Sequence, residues 1–148
     1  MAFDSVLGYY RSLMTLPRPH GNLKAEIDDA VRKNARKEVG ILFSGGLDSS
    51  VIAAIASRYS KITCYTAGLD GSQDLIAAEK VAVEMGWPLE VKLISDPEVP
   101  SMAKKVERII HDNSRMRVGV GIPIYACCSA AREHSLLSGS GAEELFAG

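Results

Sequence analysis

The stretch VGILFSGGLDSSVIAA, Val39 to Ala54, constrains the fold more than any other part of the chain. Val39–Phe43 is short, almost wholly apolar and lacks polar alternation, the pattern of a strand buried on both faces inside a parallel sheet. Gly45 and Gly46 break the run. Val51, Ile52, Ile55 and Ala56 then fall at helical spacing, which predicts a helix over Asp48–Arg58. A buried strand passed through a glycine turn into a helix is the opening of an alternating α/β fold.

The remaining chain continues the alternation. Val6, Leu7, Tyr10, Leu13 and Met14 predict a helix over residues 2–14, stopped by LPRPHG at 16–21, where proline removes a donor and restricts the residue before it. Asn22 is positioned to cap a helix carrying Leu23, Ile27 and Val31. Ile62–Thr66 reads as a strand, and Ser72 as the cap of a helix bearing Leu75, Ala78, Ala82 and Met85, ended by Gly86. Leu89–Ile94 alternates apolar with charged residues, as an edge strand does. Helices are predicted over Pro100–His111 and Ile122–Glu133, with NSRMRVGVG (113–121) between them as a loop carrying Arg115 and Arg117. Leu136-Leu137 is a short apolar run before Gly139, Gly141 and a last helical turn. The expectation is an α/β, doubly wound parallel sheet with helices on both faces, divided into an N-terminal helical segment (1–21) and one domain (22–148).

Composition narrows the function classes. Seventeen Lys and Arg against eighteen Asp and Glu leave a net charge of -1 over 148 residues, without the basic excess of a nucleic-acid binder. The run Arg32, Lys33, Arg36, Lys37, with Asp28, Asp29 and Glu38, reads as the solvated face of a helix. No apolar stretch is long enough for a membrane span, and the N-terminus lacks a signal-peptide pattern, so the expected location is cytoplasmic. Cys64, Cys127 and Cys128 form neither a disulfide framework nor a zinc pattern and are expected to be buried hydrophobes. His20, His111 and His134 lack ligand spacing.

The chemistry concentrates at SGGLDSS, Ser44 to Ser50, at the carboxyl end of a strand, where open α/β sheets bind ligands. Glycines let the backbone approach a ligand closely. The helix that follows offers unpaired N–H groups and the positive end of its dipole, and Ser44, Ser49 and Ser50 add hydroxyls. These are the parts of a phosphate cradle. The loop has no lysine and lacks both GxxxxGK and GxGxxG spacing, so it is neither a Walker loop nor a dinucleotide fingerprint.

SGGLDSS resembles the SGGxDS loop of the PP-loop ATP pyrophosphatases. Together with YTAGLDGSQDLIAAEKVAVEMG (65–86), IPIYACCSAAREH (122–134) and SGSGAEELFAG (138–148), it is similar to the synthetase domain of asparagine synthetases and their β-lactam-synthetase relatives. The resemblance covers residues 22–148. It implies ATP and Mg2+ as cofactors, cleavage between the α and β phosphates, and an acyl-adenylate on the way to an amide, the work of an AMP-forming carbon–nitrogen ligase. Ser44, Gly45, Gly46, Asp48 and Ser49 match the residues that contact the pyrophosphate of ATP, with Ser50 adding its hydroxyl. Leu42 and Ala67 match strand-end positions whose backbone holds adenine. Gly68 matches the glycine that leaves room for the nucleotide, and Ser138 and Gly139 match a second phosphate-side loop. Asp48 and Glu143 stand at metal positions. Asp74 matches the acid of a GSxD pattern and equally suits a helix N-terminus.

The departures from the family are specific. Ser140 stands where the second loop carries an acid, and Glu143 where the metal ligand is usually Asp. The segment between His134 and Ser138 is short. The chain does not begin with a nucleophilic Cys, so no glutaminase domain is expected, and the helical region that bears the family's catalytic Lys would follow Gly148. The expected partners are ATP and a small aspartate-like carboxylate, a separate amidotransferase or ammonia source, and a second copy in a homo-oligomer, with neither membrane nor nucleic acid. The alternative is a nucleotide-binding regulatory or interaction module without amide-synthesis chemistry.

Overall fold

A computed structural model of the chain describes residues 22–142. The helix expected over 2–14, His20 and Glu143 lie outside the described residues.

The elements run α1 (Leu23–Asn34), β1 (Glu38–Leu42), α2 (Leu47–Ala56), β2 (Lys61–Gly68), α3 (Gln73–Met85), β3 (Leu89–Leu93), a 3-10 turn (Asp96–Glu98), α4 (Val99–Ile110), α5 (Arg115–Ala130) and β4 (Leu136–Ser138). The four strands form one parallel sheet in the order β3-β2-β1-β4. Strand order therefore reverses at β1: the chain builds outward through β2 and β3, then returns to β1's other side with β4.

Side-chain alternation divides the core in two. Val39, Ile41, Ile62, Cys64 and Leu137 face one side and pack with Val31 of α1, Ala53 and Ala56 of α2, and Ala78 and Ala82 of α3. Leu42, Tyr65, Ala67 and Leu136 face the other and pack with Ala126 and Cys127 of α5 and Met102 of α4. Helices thus cover both faces. Val39 and Ile41 are fully enclosed, as the apolar run predicts, each worth about 1.5–3 kcal/mol of burial.

Local signals explain most boundaries. The Asn22 side chain accepts from the Lys24 N–H at 3.1 Å and opens α1. Gly86, at φ 66°, closes α3, and Trp87 beyond it meets Phe43 edge-on with ring centroids 5.8 Å apart. Ser72 occupies the N-cap position of α3, but its hydroxyl makes no capping bond and is buried without a partner. Ser95 and Glu98 form a reciprocal capping box that turns the chain from β3 toward α4.

Four expectations are corrected. The segment 113–121 is not a loop: α5 starts at Arg115, Arg117 lies in its first turn, 2.6 Å from Asp112, and the helix ends at Ala130 rather than Glu133. Helix α1 stops at Asn34, so Arg36 and Lys37 lie beyond it; Arg32 and Lys33 pair with Asp29 on the exposed face. Cys64 and Cys127 are buried, but Cys128 is exposed, because it is one helical step away from the face that packs on the sheet. The Ser72 cap is absent, as described. No helix among the described residues is long and apolar enough to cross a membrane.

Candidate functional site

A cleft of about 770 Å³ opens at the carboxyl ends of β1, β2 and β4, at the reversal of strand order. That is where open α/β sheets bind their ligands, and the size is that of a small-molecule site. Ser44, Asp48 and Ser49 form one wall, Ser138 to Ala142 the facing wall, and Leu42, Tyr65 and Ala67 the floor. Helix α5 forms a third, mostly apolar side through Gly119, Val120, Pro123, Ile124 and Cys127.

The first loop is pinned from behind. Gly45 adopts φ 74°, and a Cβ there would lie 2.6 Å from the carbonyl carbon and oxygen of Ala77 in α3. A residue without a side chain is therefore required both by conformation and by the backbone of α3. Gly46 is the N-cap of α2 and provides no side-chain cap, so the first N–H groups of the helix remain open to a ligand. The hydroxyls are turned onto the loop itself. Ser49 Oγ and Ser50 Oγ donate to the Gly46 carbonyl at 3.1 and 2.7 Å, and Ser44 Oγ lies 3.2 Å from Ser49 Oγ.

The second loop is pressed against the first. A Cβ on Gly139 would lie 2.9 Å from the carbonyl carbon and Cβ of Asp48 and 3.0 Å from the Ser49 nitrogen. The absence of a side chain at 139 lets the two loops meet at the positive end of α2. Ser138 Oγ donates to Ser140 Oγ at 2.8 Å and accepts the Ser140 N–H at 3.0 Å, which shapes this loop into a tight turn.

Of the residues singled out in the sequence, the structure brings Leu42, Ser44, Asp48, Ser49, Ala67, Ser138 and Gly139 to the cleft, along with Asp74. Gly45 and Gly46 shape the loop behind it, and Ser50 is held by Gly46. Gly68 lies outside the cleft lining; its open side faces Ser72 Oγ, 2.8 Å from where a Cβ would be, and Leu75. The α5 wall and Tyr65 were not singled out. Treating 113–121 as a loop hid the Gly119–Val120 part of that wall, although the apolar spacing of Met116, Val120 and Ile124 marks a helix face; Pro123, Ile124 and Cys127 fall in the helix expected over Ile122–Glu133.

Two carboxylates, Asp48 and Asp74, line the cleft, and no Lys or Arg does so among the described residues. No cluster of three metal-ligating side chains exists among the described residues either. An anion entering here meets backbone donors and negative side chains together. That arrangement suits a phosphate group that brings a hard divalent cation with it, since Mg2+ is commonly held by one or two carboxylates plus phosphate oxygens.

Sheet order, loop pair and cleft define an α/β domain of the PP-loop class. In overall fold the chain is similar to the NH3-dependent NAD synthetase of Campylobacter jejuni, with a TM-score of 0.54 and 13% identity over 82% of this chain and 57% of that one. The family described as Asparagine synthase matches residues 22–148. The chain belongs to that family. It is 40% identical to a putative asparagine synthetase [glutamine-hydrolyzing] of Methanocaldococcus jannaschii over 88% of its length, and 29% identical to the asparagine synthetase of Gallus gallus over 99%. It spans 26% and 28% of the length of these relatives.

Proposed function

We propose that the cleft binds ATP with Mg2+ and that the domain adenylates a small, aspartate-like carboxylate with release of pyrophosphate, the activating half of ATP-dependent amide formation. The observation that carries this reading is the contact of Gly139 with Asp48 and Ser49, which joins two glycine loops at one helix N-terminus into a single cradle. Open N–H groups there, with Ser44, Ser49 and Ser138 beside them, complement phosphate oxygens. Asp48 and Asp74, the carboxylates that line the cleft, would hold Mg2+, with Glu143 proposed as a further ligand. The cation would neutralise the phosphates and draw charge toward the leaving pyrophosphate. The backbone at Leu42 and Ala67 is proposed to hold adenine, with the apolar α5 wall beside it and Gly68 just outside. Ammonia would come from a separate amidotransferase domain or subunit.

The Ser138–Ser140 turn favours a second reading. It places a hydroxyl pair, not a carboxylate, on the second loop, and a hydroxyl is no general base at neutral pH. Nucleotide binding without amide synthesis follows if no other group replaces that acid, since a positioned acid or base contributes about 10²–10⁴-fold in rate.

Calorimetry with Mg-ATP on the wild type and on the Asp48→Ala and Ser44→Ala variants tests binding; unchanged affinity in both variants would overturn the cradle. Pyrophosphate release with and without aspartate separates the two readings. Aspartate-dependent release supports adenylation. Binding without release supports the nucleotide-binding module, and release of orthophosphate would contradict α–β cleavage.

A further inference from the structure

Tyr65 lies at the centre of the sheet, opposite Leu42 in the β1–β2 register, and is 2% exposed. Its ring packs with Ala126 and Cys127 beneath the cleft. Its hydroxyl meets the turn that joins α5 to β4, donating to Glu133 Oε2 at 2.7 Å and accepting the Arg132 N–H at 3.3 Å. Burial and the adjoining Glu133 hydrogen bond raise the phenol above its ordinary value, so it remains a donor at neutral pH.

The turn it holds has few other anchors. Its first residue, Ala131, still bonds back to α5 through Cys127 O, and at its far end Ser135 O accepts from Gly40 N at 3.0 Å. Between them, the Arg132–Glu90 ion pair is exposed and spans 3.8 Å, and the Thr63 side chain of β2 also hydrogen-bonds Glu133. Beyond the turn, β4 is three residues long and pairs with β1. A strand this short transmits the position of its entry directly to its exit, and the exit is Ser138 followed by Gly139, packed on Asp48 and Ser49.

We propose that Tyr65 is a positioning residue for the second phosphate loop: by clamping Arg132 and Glu133 it fixes where β4 enters the sheet, and thereby where Ser138 and Gly139 meet the loop Ser44–Ser49. The residue contributes its ring to the floor of the cleft and its hydroxyl to the geometry of the wall. The consequence for nucleotide affinity rests on the reading of the cleft as an ATP site; the clamp itself does not.

The test uses the full chain and Tyr65→Phe, Glu133→Ala and Glu133→Gln. Hydrogen exchange on the ligand-free proteins reads the clamp. Tyr65→Phe and Glu133→Ala are expected to speed exchange about tenfold at the amides of residues 136–140 while leaving β2 amides at Ile62 and Cys64 unchanged. Binding reads the consequence: the same variants are expected to weaken Mg-ATP about tenfold and adenosine by less than about twofold, because adenosine lacks the groups that reach the second loop. Glu133→Gln keeps a carbonyl acceptor for the phenol and is expected to stay within about twofold of wild type in both readouts. Unchanged exchange in Tyr65→Phe, or exchange that rises equally through the sheet, overturns the clamp. Equal loss of adenosine and Mg-ATP overturns the link to the second loop. If the wild type binds no Mg-ATP, the ATP reading fails, and local or uniform exchange still decides the clamp.

Discussion

Replacing Gly45 with alanine separates two reasons for a glycine in the first loop. At φ 74° an alanine occupies the left-handed region, at about 1–2 kcal/mol. Its Cβ also lies 2.6 Å from the Ala77 carbonyl carbon and oxygen and 2.7 Å from the Ala78 nitrogen, all backbone atoms of α3 that cannot rotate aside. Relieving that overlap by shifting the loop or α3 adds about 1–3 kcal/mol. Gly45→Ala is therefore expected to destabilise by about 2–5 kcal/mol in total. Gly86→Ala is the matched control, because Gly86 has φ 66° with nothing within 4 Å of its Cβ position. It carries the conformational term alone, about 1–2 kcal/mol. Both substitutions restrict the unfolded chain alike, so that contribution cancels in their difference. Urea unfolding, with the m-value checked for constancy, measures each loss. A Gly45→Ala loss exceeding that of Gly86→Ala by about 1–3 kcal/mol is expected. Equal losses would show that α3 does not press on the loop, and the steric part of the reasoning would fail.

Three further outcomes are expected. Gly139→Ala should lower Mg-ATP affinity at least about tenfold by calorimetry, since its Cβ would lie 2.9 Å from Asp48; wild-type affinity would show that the loops need not touch. At pH 8 a thiol reagent should modify Cys128 alone in the native protein, because burial pushes Cys64 and Cys127 up to about 12; a second fast thiol would refute this. Glu98, held at about 2 by the Ser95 N–H and hydroxyl and by Lys92, has a folded value below its ordinary 4.5, so its contribution is complete above 4.5 and fades as pH falls toward 2. Urea unfolding across that range should show a shallower pH dependence in Glu98→Gln than in wild type; identical profiles would refute the assignment.

The alternation of strands and helices was legible because each element has one decisive local signal: the apolar run at Val39–Phe43, the cap at Asn22, the stop at Gly86. The start of α5 was not, because local preference and tertiary packing conflict there. Gly119, Gly121 and Pro123 each disfavour a helix interior. The fold nevertheless favours glycine at 121, where a Cβ would lie 2.5 Å from Cγ1 of the buried Val106 and that side chain would have to shift. The Gly119–Val120 part of the α5 wall was lost with that boundary. The first loop could be recognised from Ser44 to Ser50 because its residues are contiguous. That Gly139 touches Asp48 could not, because spacing along the chain carries no information about which loops a sheet brings together. The role of Tyr65 was equally hidden: in the run ITCYTAG it reads as one more large strand residue, and its partner Glu133 is far away in sequence.

The placement of β4 beside β1 has a consequence in time as well as in space. Gly40 and Leu136 are neighbours in the sheet but roughly a hundred residues apart in the chain, the costliest closure among the strand pairs. As the chain leaves the ribosome, β1, the first loop, α2, β2 and α3 can assemble from near neighbours. At that stage one wall of the cleft exists without the other, and the donors at the N-terminus of α2 face water. Only when β4 slots in beside β1 does the second wall meet the first, so the enclosure depends on this long-range pairing. A ligand that bridges both walls would therefore bind the chain with β4 in place and not the chain without it, drawing β4 into the sheet by mass action.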